Sequence, residues 1–236
     1  MNGKIYAGLN LVTGPAEEPV TLEDVKFQLK KDSVTTYEDE WLTGFISLAR
    51  QWCENYMRRA FVAQTWELAL RAWPGRDVTN YPIGFSSSSL DTYYKHNYIK
   101  LPRPPLRSVS SINYYDTTNT MHTMPAGNIA GGYNVNTDTD PGQIVLPFSQ
   151  IWPTEILLPG SPIKVTFVAG FVDAATFLAT FEGALSVRMA ILLLVAHWDT
   201  VRQPLTNVQK MRIGGDVLQP VKDLLEAHRN HENLTD

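Results

Sequence analysis

The chain of 236 residues holds one cysteine, Cys53, so no disulfide can form within it. Cys53 falls inside an apolar helical pattern, where a buried free thiol is expected. Charge is also sparse. Charged residues make up 19% of the chain, and 20 Lys and Arg against 24 Asp and Glu leave a net charge of −4. No basic block stands anywhere in the sequence, and a protein that grips nucleic-acid phosphate needs a concentrated positive surface. DNA near such a chain is expected to slide past rather than be held. Long hydrophobic runs are missing too. The most apolar run, Met189 to Ala196, is eight residues, against roughly 20 needed to cross a bilayer. At the start, Lys4 and the apolar stretch from Ile5 to Leu9 are too short for a signal-peptide core. The expectation is a protein kept in a reducing cytoplasm, with no membrane partner.

Catalytic signatures are equally scarce. Gly-x-Ser-x-Gly does not occur, and Gly127-Asn128-Ile129-Ala130-Gly131-Gly132 lacks the Lys-Ser or Lys-Thr of a phosphate loop. His228 and His231 have helical spacing, but the helix pattern is failing there and no third metal ligand is evident. His197 and Asp199 are too close in sequence to face each other on a helix, and read as satisfied polar groups at a helix end. Asp138 and Asp140 lack the spaced acidic series of a calcium loop. The expectation is no catalytic residue, no cofactor and no metal.

What the sequence does have is apolar content, 44% with six Trp, enough for a substantial core. Its centre is residues 185–202, LSVRMAILLLVAHWDTVR. Leu185, Met189, Leu192 and Ala196 share one helical face, and Val187, Ile191, Leu194 and Trp198 cover another. A helix apolar almost all round is buried in protein or in lipid, and the run is too short for lipid. Leu185, Met189, Leu192 and Trp198 are therefore expected in the core, with Thr180 as a cap for this helix.

Around that centre the patterns fall in order. Residues 1–18 read as a loose arm. Thr21 with Asp24 makes a capping-box start for a helix over about 22–30. A longer helix over about 37–58 carries Trp41, Phe45, Leu48, Trp52 and Tyr56. The period then changes to two over residues 64–71, a half-buried strand. Residues 74–96, with Ser86 to Ser89, read as a long flap. Short strands follow over 98–101, 133–136, 143–146 and 163–168, with a hairpin of 109–116 and 120–124. Residues 216–229 hold an amphipathic helix with Val217, Val221, Leu224, Leu225 and His228 on its stripe.

Helices at both ends with strands between argue α+β rather than alternating βαβ. The expected architecture is a small α-helical bundle from both chain ends with an inserted antiparallel β-rich subdomain. Its divisions are residues 1–62, 63–172 and 173–236, the first and last forming one unit. Pro-rich extended segments, a flap and loose ends suit a subunit that wraps its neighbours. Tyr93, Tyr94, Tyr114 and Tyr115 are candidate contacts with a neighbour, since Tyr is enriched at interfaces.

Several stretches, taken in order, resemble the head–tail connector (adaptor, or head-completion) proteins of tailed bacteriophages. They are Pro19-Val20-Thr21-Leu22-Glu23-Asp24-Val25-Lys26, then Ala49-Arg50-Gln51-Trp52-Cys53-Glu54-Asn55-Tyr56, then Arg59-Ala60-Phe61-Val62-Ala63-Gln64-Thr65-Trp66-Glu67-Leu68. Next come Leu101-Pro102-Arg103-Pro104-Pro105-Leu106, Pro141-Gly142-Gln143-Ile144-Val145 and Val165-Thr166-Phe167-Val168-Ala169-Gly170-Phe171. Ala190-Ile191-Leu192-Leu193-Leu194-Val195-Ala196-His197-Trp198 closes the series, which spans about residues 19–202. The resemblance implies a structural virion protein of the phage neck, assembled in the bacterial host cytoplasm. It would form a homo-oligomeric ring, a dodecamer, between the portal protein and the next neck or tail protein. The ring would extend the channel through which DNA passes without sequence-specific binding. The resemblance also implies portal docking by a C-terminal segment, with Val217, Leu218, Val221, Leu224 and Leu225 as candidates. Arg103 stands with the tyrosines as a candidate neighbour contact. The nearest alternative is another neck subunit, such as a tail-completion or stopper protein. A small enzyme or ligand-binding protein is the distant one.

Overall fold

A computed structural model describes residues 5–34, 36–74, 98–200 and 218–231. They form two compact units, one from Pro15–Val62 with Phe171–His231 and one from Met1–Gly14 with Ala63–Gly170.

The first unit is helical. Thr21 opens α1 (Leu22–Gln28): its Oγ1 accepts from the Asp24 amide at 3.2 Å, and the Asp24 carboxylate accepts from the Thr21 amide at 3.1 Å. Two orphan donors of the first turn are thereby satisfied. The long helix α2 (Asp39–Met57) buries Leu42, Ile46, Ala49, Cys53 and Met57. It ends where Arg58 takes a left-handed conformation, φ 57°.

Next comes α3 (Ala174–Thr180), a helix the sequence reading does not anticipate. Asp173 caps it, accepting from the Thr176 amide at 2.6 Å. Thr180 is thus the last residue of α3 rather than a cap for the central helix, and its hydroxyl donates to the Thr176 carbonyl at 2.7 Å. A seven-residue helix gives periodicity too little length to register.

The central helix is α4 (Ala184–Thr200), and α5 (Gln219–Glu226) follows with Pro220 in its first turn. The core of the unit is built from Val25, the α2 residues above, Phe61, Phe177, Val187, Ala190, Ile191, Leu194, Val195, Val221 and Leu225. Burial pushes the Cys53 thiol far above its ordinary value, with the Glu54 charge adding to the effect, so the thiol stays protonated and inert.

One buried polar cluster braces α2. Arg50 Nε donates to Glu18 at 2.7 Å and its Nη1 to Glu54 at 2.6 Å. The other Glu54 oxygen accepts from the Phe61 amide at 2.9 Å, and Ser47 donates to the other Glu18 oxygen at 2.7 Å.

The second unit is β-rich. Its strands are β1 (Tyr6–Thr13), β2 (Gln64–Leu70), β3 (Tyr98–Lys100), β4 (Leu106–Tyr115), β5 (Met121–Met124), β6 (Asn134–Asn136), β7 (Gln143–Val145) and β8 (Ile163–Ala169). A five-stranded antiparallel sheet runs β1-β2-β8-β4-β5, and a three-stranded one runs β3-β7-β6. In β8 burial alternates residue by residue, with Ile163, Val165, Phe167 and Ala169 inward. Leu70, Leu68 and Trp66 of β2 lie opposite Ile163, Val165 and Phe167.

The loose arm expected for residues 1–18 is here a correction. Tyr6–Thr13 is the edge strand, paired on β2 with register shifts at Tyr6/Gly8 and Leu11/Thr13. A bulged edge strand loses strict alternation, the one signal by which a strand is read. The flap expected over residues 74–96 lies, apart from Pro74, outside the described residues.

The buried cluster gives a test. Arg50→Ala leaves the Glu54 carboxylate buried beside a lost partner, and breaking such a pair costs about 3–5 kcal/mol. Urea denaturation of the variant is expected to show a loss of that size. Glu54→Gln, which keeps an acceptor for the Phe61 amide, is expected to lose less.

Candidate docking surfaces

Of the expected portal-docking residues, Val221, Leu224 and Leu225 are on α5 and Leu218 directly precedes it, and the helical unit takes most of these up itself. Val221 and Leu225 are core residues, and Leu218 packs against that core. Only Leu224 faces outward, and Val217 lies outside the described residues.

The end of α5 is pinned as well. The Asn230 amide donates to the Met57 carbonyl at 2.9 Å, and Arg59 Nε donates to the His228 carbonyl at 2.9 Å. Tyr56 donates to Glu226, which raises the tyrosine's pKa and lowers that of the carboxylate. His228 fills the space beside Gly183, where an added Cβ would stand 2.7 Å from the imidazole. The amphipathic stripe was legible in sequence. What it faces was not, because a helix's own bundle and a partner demand the same apolar side chains.

The neighbour-contact candidates divide in the same way. Tyr114 is buried, edge-on to Trp73 at 5.5 Å and stacked on His122 at 5.1 Å. Trp73 in turn stacks on Trp152 at 5.1 Å. Tyr114 is therefore a core residue of the β unit, a correction to its reading as a contact. Tyr115 is half-buried, and Arg103 is half-buried with its guanidinium 5.1 Å over the Trp66 ring. Tyr93 and Tyr94 lie outside the described residues.

The central helix brings a third correction. Leu192 is buried and Trp198 packs against the core, but Leu185 is 72% exposed and Met189 is 45% exposed. Leu193 beside them is 36% exposed.

Other apolar surface escaped the sequence reading. In the β unit Phe148 is 90% exposed, and Ile151 and Ile156 are also exposed on the segment between β7 and β8. In the helical unit Phe27, Val34, Tyr37, Trp41 and Leu48 are exposed. The run Leu146-Pro147-Phe148-Ser149-Gln150-Ile151 carries no period, so nothing in it separates a buried loop from a displayed one.

The titratable groups are occupied in holding turns and helix ends. A cleft of about 310 Å³ is lined by Lys26, Lys31, Asp32, Tyr37, Glu38, Asp39 and Leu42. Lys26 pairs with Asp39 at 2.6 Å, and Lys31 pairs with Glu38 and with Asp199. Burial opposes the charge on Lys31, yet its hydrogen bonds to Glu38 and Asp199 hold its pKa above the ordinary value.

Asp116 organises the β4–β5 turn. Its carboxylate accepts from His122 Nε2 at 2.9 Å and from the amides of Thr118 and Thr120 at 2.8 and 3.0 Å. The His122 contact first, then the Thr118 and Thr120 donors, hold it far below the usual carboxylate range. Among the described residues no cluster of His, Cys, Asp or Glu could hold a metal ion, and no helix is long and apolar enough to cross a membrane.

The two units together match chains of known architecture. This chain shares its fold with chains in the neck of gene transfer agent particles. It is 19% identical to a chain in the neck of the empty particle computed with C6 symmetry, with a TM-score of 0.65 over 96% of this chain and 97% of that one. Against a chain in the virion of the native particle it is 18% identical, with a TM-score of 0.63 over 95% and 96%. The neck of the native particle computed with C12 symmetry gives 18% identity and a TM-score of 0.59 over 96% and 97%. No protein-family profile and no curated protein matches the chain.

Two outcomes follow from the geometry. Leu225→Ala removes a fully buried side chain and is expected to cost about 2–5 kcal/mol, whereas Leu224→Ser leaves stability within about 0.5 kcal/mol; thermal unfolding of both variants checks this. For Asp116, a folded pKa below the unfolded value means its contribution is complete above the ordinary range and fades as pH falls through the folded pKa. Amide resonances of Thr118 and Thr120 should therefore hold their positions at pH 3.5 and move only in stronger acid. Movement between pH 5 and 4 would contradict the assignment.

Proposed function

We propose that this chain is a structural protein of the neck of a phage-like particle, forming a ring adaptor between the portal and the next neck or tail protein. The observation that carries the reading is the shared fold. It covers nearly the whole of this chain and of chains in necks computed with C6 and with C12 symmetry. A ring of twelve satisfies both symmetries, so twelve copies is the number we infer. The role is non-enzymatic, and the place of the protein is the virion, at the capsid's portal vertex.

The physical mechanism is assembly by burial. A closed ring needs a head-to-tail interface between two different faces of the subunit, with a rotation that closes. Exposed apolar side chains on both units supply surface that gains by leaving water. Patches of this kind on a monomer mark interaction sites. Leu224, together with the exposed tips Phe148, Ile151 and Ile156, is where the portal and the next neck protein would dock. The net charge of −4 and the pairing of Lys26, Lys31 and Arg50 with carboxylates favour a channel through which DNA passes without being held.

Co-expression with the portal protein of the same particle, followed by electron microscopy, tests this. The expected product is a ring of twelve copies on the narrow end of the portal. A monomer indifferent to the portal would overturn the reading. A ring that forms on a tail component instead would replace the adaptor with a tail-completion role.

A further inference from the structure

The central helix α4 is apolar on two sides, and its own unit covers one of them. Val187, Ala190, Ile191, Leu194 and Val195 face the core. Leu185, Met189, Leu193 and the half-buried Ala196 lie on the other side, at the i, i+4 spacing of one helical stripe. This stripe carries no charged side chain. Leu185, Met189 and Leu193 together leave roughly 300 Å² of apolar surface in water, the lower end of the size of the largest apolar patch on a monomer, which is often functional.

Helix α2, which packs on α4, has an outer face of its own. Trp41, Gly44 and Leu48 lie along it, followed by Gln51 and Asn55, with the exposed Glu40 at its N-terminal edge. Trp41 is 57% exposed and Leu48 is 50% exposed.

Gly44 is the telling residue. Glycine inside a helix is unfavourable relative to alanine, and among the described residues no close packing calls for it. An added Cβ at Gly44 would meet no atom within 4 Å. A notch between two large apolar residues, empty within its own subunit, fits close approach by something outside it.

The two faces lie on different helices, each on the side away from that helix's own buried residues. They differ from one another, as a head-to-tail contact requires, and the charge nearest the α2 stripe, Glu40, stands at its end rather than between Gly44 and Leu48. A patch of this size is the centre of an interface, since a stable one takes roughly 800 Å² from each partner.

We propose that the outer face of α4 (Leu185, Met189, Leu193) seats on the outer face of α2 (Trp41, Gly44, Leu48) of a second copy of this chain, with an α4 side chain entering the notch at Gly44. This rests on the ring reading above and assigns its repeating contact.

Met189→Glu and Gly44→Glu, each in the full chain, test the proposal by sedimentation velocity and electron microscopy, alone and with the portal. A carboxylate forced into an apolar seam should weaken each contact about a hundredfold or more. Wild type should give rings and each variant monomers. The Gly44→Glu monomer should melt no lower than wild type, because the helix gains a better former. Each variant keeps one intact face, the α2 face in one and the α4 face in the other. An equimolar mixture should therefore stop at a dimer.

Rings from both variants would overturn this contact and leave the ring reading standing. Variants that ring normally but lose the portal would assign the faces to the portal and overturn the proposal. A Met189→Glu monomer that melts well below wild type would show the stripe to be covered within the chain, which also overturns it. Wild type that never forms rings, with or without portal, would sink the ring reading and this contact together.

Discussion

The helical unit depends on a pair of buried charges one helical turn apart. Arg50 and Glu54 are almost wholly buried, and such groups are tolerated only when their hydrogen-bonding capacity is used. Here it is used to fasten the chain in two places. Glu18 brings the segment before α1 onto α2, and Glu54 holds α2 to the turn that follows by accepting from the Phe61 amide, whose ring lies 5.3 Å from Phe177. Arg58 sits in a left-handed conformation that costs a non-glycine residue energy. The amides of Arg58 and Arg59 both return to the Glu54 carbonyl, so the turn is over-determined and the strain persists. A hydrophobic pair of similar volume would pack here equally well. It would lack the directional bonds that fix where the chain enters and leaves α2.

The same logic explains what was legible in the sequence. The capping box at Thr21, the long α2, the alternation in β2 and β8, and the β4–β5 hairpin were all visible, because each is stated locally by period or by cap chemistry. The bulged edge strand β1 and the seven-residue α3 were not, since neither is long or regular enough to show a period. The larger misreading concerns partners rather than elements. Val221 and Leu225 look like a docking stripe and are core, while Leu185 and Met189 look like core and are displayed. Apolar character tells that a face will be covered and is silent on whether the cover belongs to the same chain. Glu18, distant in sequence from Arg50, was likewise invisible as its partner.

Charge is spent in this molecule on turns and helix ends. Asp116 gathers the β4–β5 turn, Asp24 caps α1 and also pairs with Arg188, and Lys31 ties Glu38 to Asp199 near the end of α4. Asp116 is held by His122 and by the Thr118 and Thr120 donors, and Asp24, against the opposing effect of its burial, by Thr21 and Arg188; both pKa values lie below the ordinary one, and a carboxylate held in this way is a poor proton acceptor. The described polar residues thus form fixed braces rather than a convergent site. The apolar residues left outside are the unspent part of the surface.

That division bears on how a ring could be built from such a subunit. A repeating contact must be specific in register yet weak enough singly that copies do not lock in open chains before closure. Two stripes of three or four side chains on helices already rigid from core packing meet both needs. The helices bring little ordering cost, since their backbones and buried rotamers are set before docking. In the proposed contact the notch at Gly44 would set the register, since an α4 side chain of the next copy would enter it. Closure then adds a last contact without a further association cost, so the ring gains stability that no single seam has. On this reading the doubly apolar α4 is a helix with two interiors, one supplied by its own chain and one by the next copy.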